Sequence, residues 1–157
     1  MDSACTSHMF SYEEGWTQLK YERIKVQIAG GDILWATGRG TVQRKVSFPD
    51  GSKRVFVFKD SLLVPGLKYD LISTRRLDQE GFATTFSGGK GIVRDKLGVV
   101  VMFSQLCDGL YCVRVPVEKC ATGLSGVDLL HRRFGHASAP YLTQWLSKKD
   151  SRKLVIL

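Results

Sequence analysis

Cysteine is scarce in this chain of 157 residues: Cys5, Cys107, Cys112 and Cys120 are the whole set, and no two form a C-x-x-C pair. Neither a disulfide framework nor a paired-thiol motif follows from that spacing, and four buried or idle thiols are expected. Long apolar runs are missing as well, since none approaches the roughly 20 residues needed to span a bilayer. Met1-Asp2-Ser3 is not the start of a signal peptide. These absences point to an intracellular protein with no membrane partner. What is present, 43% hydrophobic and 24% charged residues, is the composition of a soluble globular protein. The length suits one ordinary domain, or a domain with a small appendage.

Acidic residues are the minority charge. The net charge is +8, and the stretch after Glu118 holds seven Lys/Arg against two Asp/Glu, so +5 of the total sits there. A tail of that kind is either a solvated basic face or a surface for a polyanion such as nucleic acid.

Between Ile24 and about Val117 the pattern is one of short strands. Ile24, Val26 and Ile28 alternate with Lys25 and Gln27, and Ala29-Gly30-Gly31-Asp32 interrupts them before Ile33-Leu34-Trp35. Alternation, a glycine turn and a restart predict a hairpin. A second hairpin is predicted from Thr41–Phe48, the turn Pro49-Asp50-Gly51-Ser52, and Arg54–Phe58. Its return strand, Val55-Phe56-Val57-Phe58, is apolar on both faces and is expected to be interior. Leu62-Leu63-Val64 before Pro65-Gly66 is a further strand. Ser73 is placed to cap a short helix over Arg75–Glu80 that Gly81 stops. Strands resume near Ala83–Phe86, Gly91–Arg94, Val99–Phe103 and Leu110–Val115. Many short strands with glycine-rich turns predict a barrel or compact sandwich. After a polar linker at Lys119–Gly126, apolar residues at helical spacing (Leu129, Leu130, Phe134, then Leu142, Trp145, Leu146) predict a small helical segment. The boundaries expected are 1–117 for the β domain and 118–157 for the basic helical part.

Three stretches carry the chemistry. The first is Asp2-Ser3-Ala4-Cys5-Thr6-Ser7-His8-Met9. The second runs Leu62-Leu63-Val64-Pro65-Gly66-Leu67-Lys68-Tyr69-Asp70-Leu71-Ile72-Ser73. The third is Leu130-His131-Arg132-Arg133-Phe134-Gly135-His136-Ala137-Ser138. In this order they resemble the Gag-Pol polyprotein of Copia-type (Pseudoviridae) long-terminal-repeat retrotransposons, and the likeness extends from Asp2 to about Trp145. In that family an Asp-Ser-Gly-Ala-like loop ending in Ser-His-Met opens the protease. A Val-Pro-Gly-Leu-Lys-x-(Asn/Asp)-Leu-(Leu/Ile)-Ser stretch closes its core, and a His-Arg-Arg-Leu-Gly-His motif leads toward integrase.

The resemblance implies a mainly β fold: a retropepsin-like closed β-barrel with one short helix, followed by the start of the GAG-pre-integrase segment. It also implies aspartic endoproteolysis of the Gag-Pol precursor by a homodimer in which each copy supplies Asp2. Ser3 would brace the loop, Ala4, Gly30 and Gly31 would meet the polypeptide substrate, and Leu71-Ile72-Ser73 would pack beneath the loop. A virus-like particle in the cytoplasm, or the nucleus, is the implied location. Two departures stand out. Ala4 replaces the usual glycine, and only Met1 precedes Asp2 where the family has an apolar strand. His131 and His136 match the first half of a zinc-binding HHCC module, but no cysteine follows His136, so no zinc or other cofactor is expected. His8 reads as a turn or surface residue. Two other readings stay open beside the protease: a non-catalytic binding or scaffold module, and nucleic-acid binding through residues 119–157.

Overall fold

The computed structural model describes residues 5–28, 31–116 and 154–157. The predicted helices after Gly126 lie outside these residues. A two-residue strand β1 (Met9–Phe10) comes first, followed by three long ones: β2 (Trp16–Gln27), β3 (Ile33–Ser47) and β4 (Lys53–Leu63). Next are β5 (Asp70–Ile72), helix α1 (Thr74–Gln79), and the meander β6 (Ala83–Ser87), β7 (Lys90–Arg94), β8 (Val100–Cys107) and β9 (Leu110–Val113). Last is β10 (Leu154–Ile156).

Both predicted hairpins are present, but their strands are continuous where the sequence suggested pieces. In β3 the residues Ala36, Gly38, Val42, Arg44 and Val46 turn inward, while the odd-numbered residues between them are exposed or half-buried. That unbroken period of two is what a long sheet strand requires. Gly40 lies in the gap between the two predicted pieces. A Cβ there would lie 1.6 Å from the Gln18 carbonyl oxygen, so glycine permits the close crossing of β2 over β3. In β2 the irregularity between Tyr21 and Ile24 shifts the alternation and hides the strand, and in β3 the inward positions Gly38 and Arg44 are not apolar, so its period does not show in hydrophobicity.

The strands form one ten-stranded sheet in the order β2-β3-β4-β1-β5-β10-β9-β8-β7-β6. The closed barrel expected from the sequence is corrected here: among the described residues β2 and β6 end the order and do not pair, so the ladder they form is not closed. The sheet nevertheless curls. One core cluster joins Val42, Val46, Phe56 and Phe58, from near one end of the order, to Val93 and Met102, from near the other. Isolated bonds span the gap, from Ser47 N–H to the Arg114 carbonyl (2.9 Å) and from the Arg54 guanidinium to the Val100 carbonyl (3.0 Å). Burial of apolar surface bends the sheet into a barrel-like form that hydrogen bonding does not complete.

Helix α1 begins where expected. The Ser73 hydroxyl accepts the Arg76 N–H at 3.2 Å, and Gly81 at φ +86° follows the C-cap residue Glu80. Leu77 is its fully buried anchor. The second correction concerns β4. Phe56 and Phe58 are buried, but Val55 and Val57 are 55% and 38% exposed, so the strand is apolar on both faces and covered on only one.

That asymmetry yields the first expected outcome. Phe58→Ala should cost about 3–5 kcal/mol in urea unfolding, the usual loss for a buried phenylalanine, and Val55→Ala less than about 1. Equal losses would mean that both faces of β4 are buried in solution.

Candidate functional site

The loop that begins the chain can be followed from Cys5 onward, and it is bound tightly. Cys5 is 2% exposed, and its carbonyl accepts the Ser73 hydroxyl at 2.5 Å. Three residues on, the His8 side chain is wholly buried, and its Nδ1 accepts the Ser73 backbone N–H at 3.1 Å. The imidazole meets Phe58 edge-on, with ring centroids 5.1 Å apart. Backbone bonds continue the anchoring: Leu62 N–H to the His8 carbonyl and Val64 N–H to the Phe10 carbonyl, both 2.8 Å. Through these bonds β1 runs parallel to β4, with Met9 opposite Leu62, and antiparallel to β5, with Met9 opposite Leu71.

The expectation that His8 is a surface or turn residue is therefore corrected. An accepting Nδ1 places the proton on Nε2, which is buried with no partner. Burial, reinforced by the nearby Arg76 cation and opposed by Asp60, pulls its pKa down to about 4. His8 is thus a neutral internal strut at neutral pH. Burial also pushes the Cys5 thiol up, keeping it protonated and unreactive.

A second fastening lies at the far end of the loop. Asp70 is buried, and one of its oxygens accepts both the backbone N–H and the hydroxyl of Ser11 at 2.8 Å. Burial raises its pKa, and the Ser11 bonds oppose that rise. Beside it the buried Arg44 guanidinium lies over the rings of Phe10 (4.9 Å) and Tyr12 (4.4 Å) and donates to the carbonyls of Glu14 and Gln43. Sequence reasoning missed His8 and Arg44 as structural groups. The recognisable signal for His8 was its place between Ser7 and Met9 in the first motif.

The β2–β3 hairpin belongs to the same site. Cys5 and Met9 share an apolar cluster with Val26 and Ala36 of the hairpin, with Ile24, Ile28 and Leu34 packed against it. At the hairpin's tip, Gly31 has φ +88°, a left-handed conformation that disfavours other residues, and it faces open space. Its N–H bonds to the Ile28 carbonyl (3.2 Å), and Ile28 N–H bonds to Asp32 (3.0 Å). Leu71 packs on the same cluster and Ile72 is fully buried. The Leu71-Ile72-Ser73 segment does lie against the loop, through Ser73.

Of the expected site residues only Gly31 is described. Asp2, Ser3, Ala4, Gly30, His131 and His136 lie outside the described residues, as does the basic segment up to Lys153. Among the described residues no group of three or more His, Cys, Asp or Glu side chains is placed to hold a metal ion. None of the helices among them is long and apolar enough to cross a membrane.

With a curled β-sheet, a pinned N-terminal loop and a hairpin packed over it, the architecture agrees with the match of residues 1–82 to the family described as Pol polyprotein, beta-barrel domain. The chain belongs to that family. It is a segment of a retroelement Pol polyprotein. No curated protein and no solved structure matches it.

The buried imidazole gives a pH dependence. Between its unfolded value near 6.5 and its folded value of about 4, only the unfolded chain takes up this proton. Stability from this group is complete above pH 6.5 and falls progressively toward pH 4, by roughly 3 kcal/mol in all. In His8→Asn the amide oxygen can take over the accepting role of Nδ1 but cannot titrate. The stability difference between wild type and variant, measured by urea titration at pH 7.5 and 4.5, should shift by about 2 to 3 kcal/mol against the wild type in acid. A difference independent of pH would show that His8 is solvated.

Proposed function

We propose that this Pol segment is the protease-type barrel of a Copia-type element, acting as an aspartic endopeptidase on Gag-Pol junctions. Two copies each contribute Asp2. Carboxylates in contact share one proton and titrate as a unit. One then activates water while the other donates a hydrogen bond to the scissile carbonyl. Ser3 braces the loop, and Ala4, Gly30 and Gly31 let backbone approach an extended peptide. In this reading residues 1–117 form the protease and 118–157 the start of the GAG-pre-integrase part. The complex works inside the cell, in a virus-like particle or the nucleus.

The observation that carries the proposal is the anchoring of the loop just after Asp2. Catalysis of this type depends on a carboxylate held to within a fraction of an ångström. Cys5, three residues beyond Asp2, is tied to Ser73 and packed against the β2–β3 hairpin. That hairpin turns on a glycine at φ +88° that faces open space, a residue type that suits a substrate-covering flap because it permits backbone rearrangement.

Incubation with peptides spanning a Gag-Pol junction, between mildly acidic and neutral pH, tests it. Cleavage should be inhibited by pepstatin, and Asp2→Asn should lower the rate by at least about a hundredfold. A dimer confirmed by sedimentation that cuts nothing would sink the enzyme reading and leave the same barrel as a binding or scaffold module.

A further inference from the structure

We infer that the outer face of the β2–β3–β4 sheet is a binding platform for single-stranded nucleic acid, with Trp35 stacking on a base and the surrounding cations tracking phosphates. This face is the opposite side of the hairpin from the loop and is distinct from the basic segment after Glu118. Cross-strand pairs place Lys25 beside Trp35, Lys20 beside Arg39, and Lys53 beside Ser47. Directly opposed residues in a ladder share a face. Lys20, Arg23, Lys25, Arg39, Lys45 and Lys53 are all exposed. Two acids, Glu22 (3.5 Å) and Asp60 (3.1 Å), pair with Arg39, and the exposed cations of the two strands and of Lys53 outnumber them. The face is thus positive, and at strand spacing the ten residues from Trp35 to Lys45 extend it over roughly 33 Å.

Charge on β2 has an ordinary explanation, because β2 is a sheet edge and cations there discourage pairing with another chain. That explanation does not extend to β3, which is paired on both sides and still presents Arg39 and Lys45 outward. Nor does it account for Trp35, a large apolar ring left 44% exposed. The Arg23 guanidinium lies 4.1 Å over that ring, so an aromatic surface and a cation are offered together. Ile33, 46% exposed on the same face, extends the apolar part. A polyanion of phosphates alone would need only the cations. Polyanions whose flat bases are unpaired would use both, and that combination selects a single strand over a duplex.

Fluorescence anisotropy of the full chain with a labelled 20-nucleotide single-stranded RNA, the DNA strand of the same sequence, and its duplex provides the test. Both single strands should bind more tightly than the duplex. Trp35→Ala should weaken single-strand binding about tenfold and leave the dependence of log K on log salt unchanged. The double variant Lys25→Gln/Lys53→Gln should reduce that slope by about 1.4, two phosphate contacts' worth. These positions are exposed, so the fold should persist in both variants, which their urea unfolding midpoints check. Wild-type affinity and slope in both variants would overturn the inference. So would a preference for duplex, or capture of phosphatidylserine vesicles without single-strand binding.

Discussion

Ser73 is a small residue with four hydrogen-bonding capacities, all of them used in a fully buried position. Its hydroxyl donates to Cys5 and accepts from Arg76, its N–H donates to His8, and its carbonyl accepts from Leu77. Each of these bonds favours one arrangement, because breaking any of them leaves a further buried polar group without water or partner. Here the arrangement joins three things at one atom cluster: the start of α1, the end of β5 and the loop that follows Asp2. Alanine at this position would remove the helix cap and orphan the Cys5 carbonyl together, so the cost would exceed that of either bond alone.

From that junction the middle of the sheet follows. β1 has only two residues, too few for a ladder to hold by itself, yet it lies between β4 and β5. Its place is secured by side chains at both ends, His8 against Ser73 and Ser11 against Asp70. β10 joins the opposite side of β5 in parallel, and Leu157 N–H bonds to the Ile72 carbonyl while Thr74 N–H bonds to the Leu157 carbonyl. The segment Asp70–Thr74 is therefore held from both sides. The barrel-like curl around Phe58 is packed on this centre, and it does not rely on a continuous seam.

Much of the fold was legible in the sequence where the governing interactions are local. The Pro49–Ser52 turn, the hairpin around Gly31, and the helix between Ser73 and Gly81 are all written in adjacent residues. What depended on distant partners was not. Val55 and Val57 look like core residues, and only the placement of other strands decides that one face of β4 stays open. β10 pairs across more than eighty positions with β5, and three apolar residues near a chain terminus carry no signal of that. His8 was misread because a single imidazole has no periodicity, and its burial is decided by Ser73, sixty-five residues away. For the candidate site, the Leu71-Ile72-Ser73 contact with the loop was anticipated, and the hydrogen-bonding role of His8 within it was not.

The two faces of the β2–β3 hairpin illustrate how a strand can serve unrelated ends. Alternation sends Val26 and Ala36 inward, onto Cys5 and Met9, while Lys25 and Trp35, their immediate neighbours in sequence, face out. A slip of one residue would exchange the two sets, exposing the apolar cluster and burying cations without partners, at a cost that a marginally stable domain cannot absorb. Register is therefore strongly specified by the inner face. The outer face inherits that precision without contributing to it, so its side chains can change with little loss of stability. A half-exposed tryptophan with an arginine laid over its ring therefore sits on the face that the fold does not need, where contact with something outside can form without cost to the inner packing.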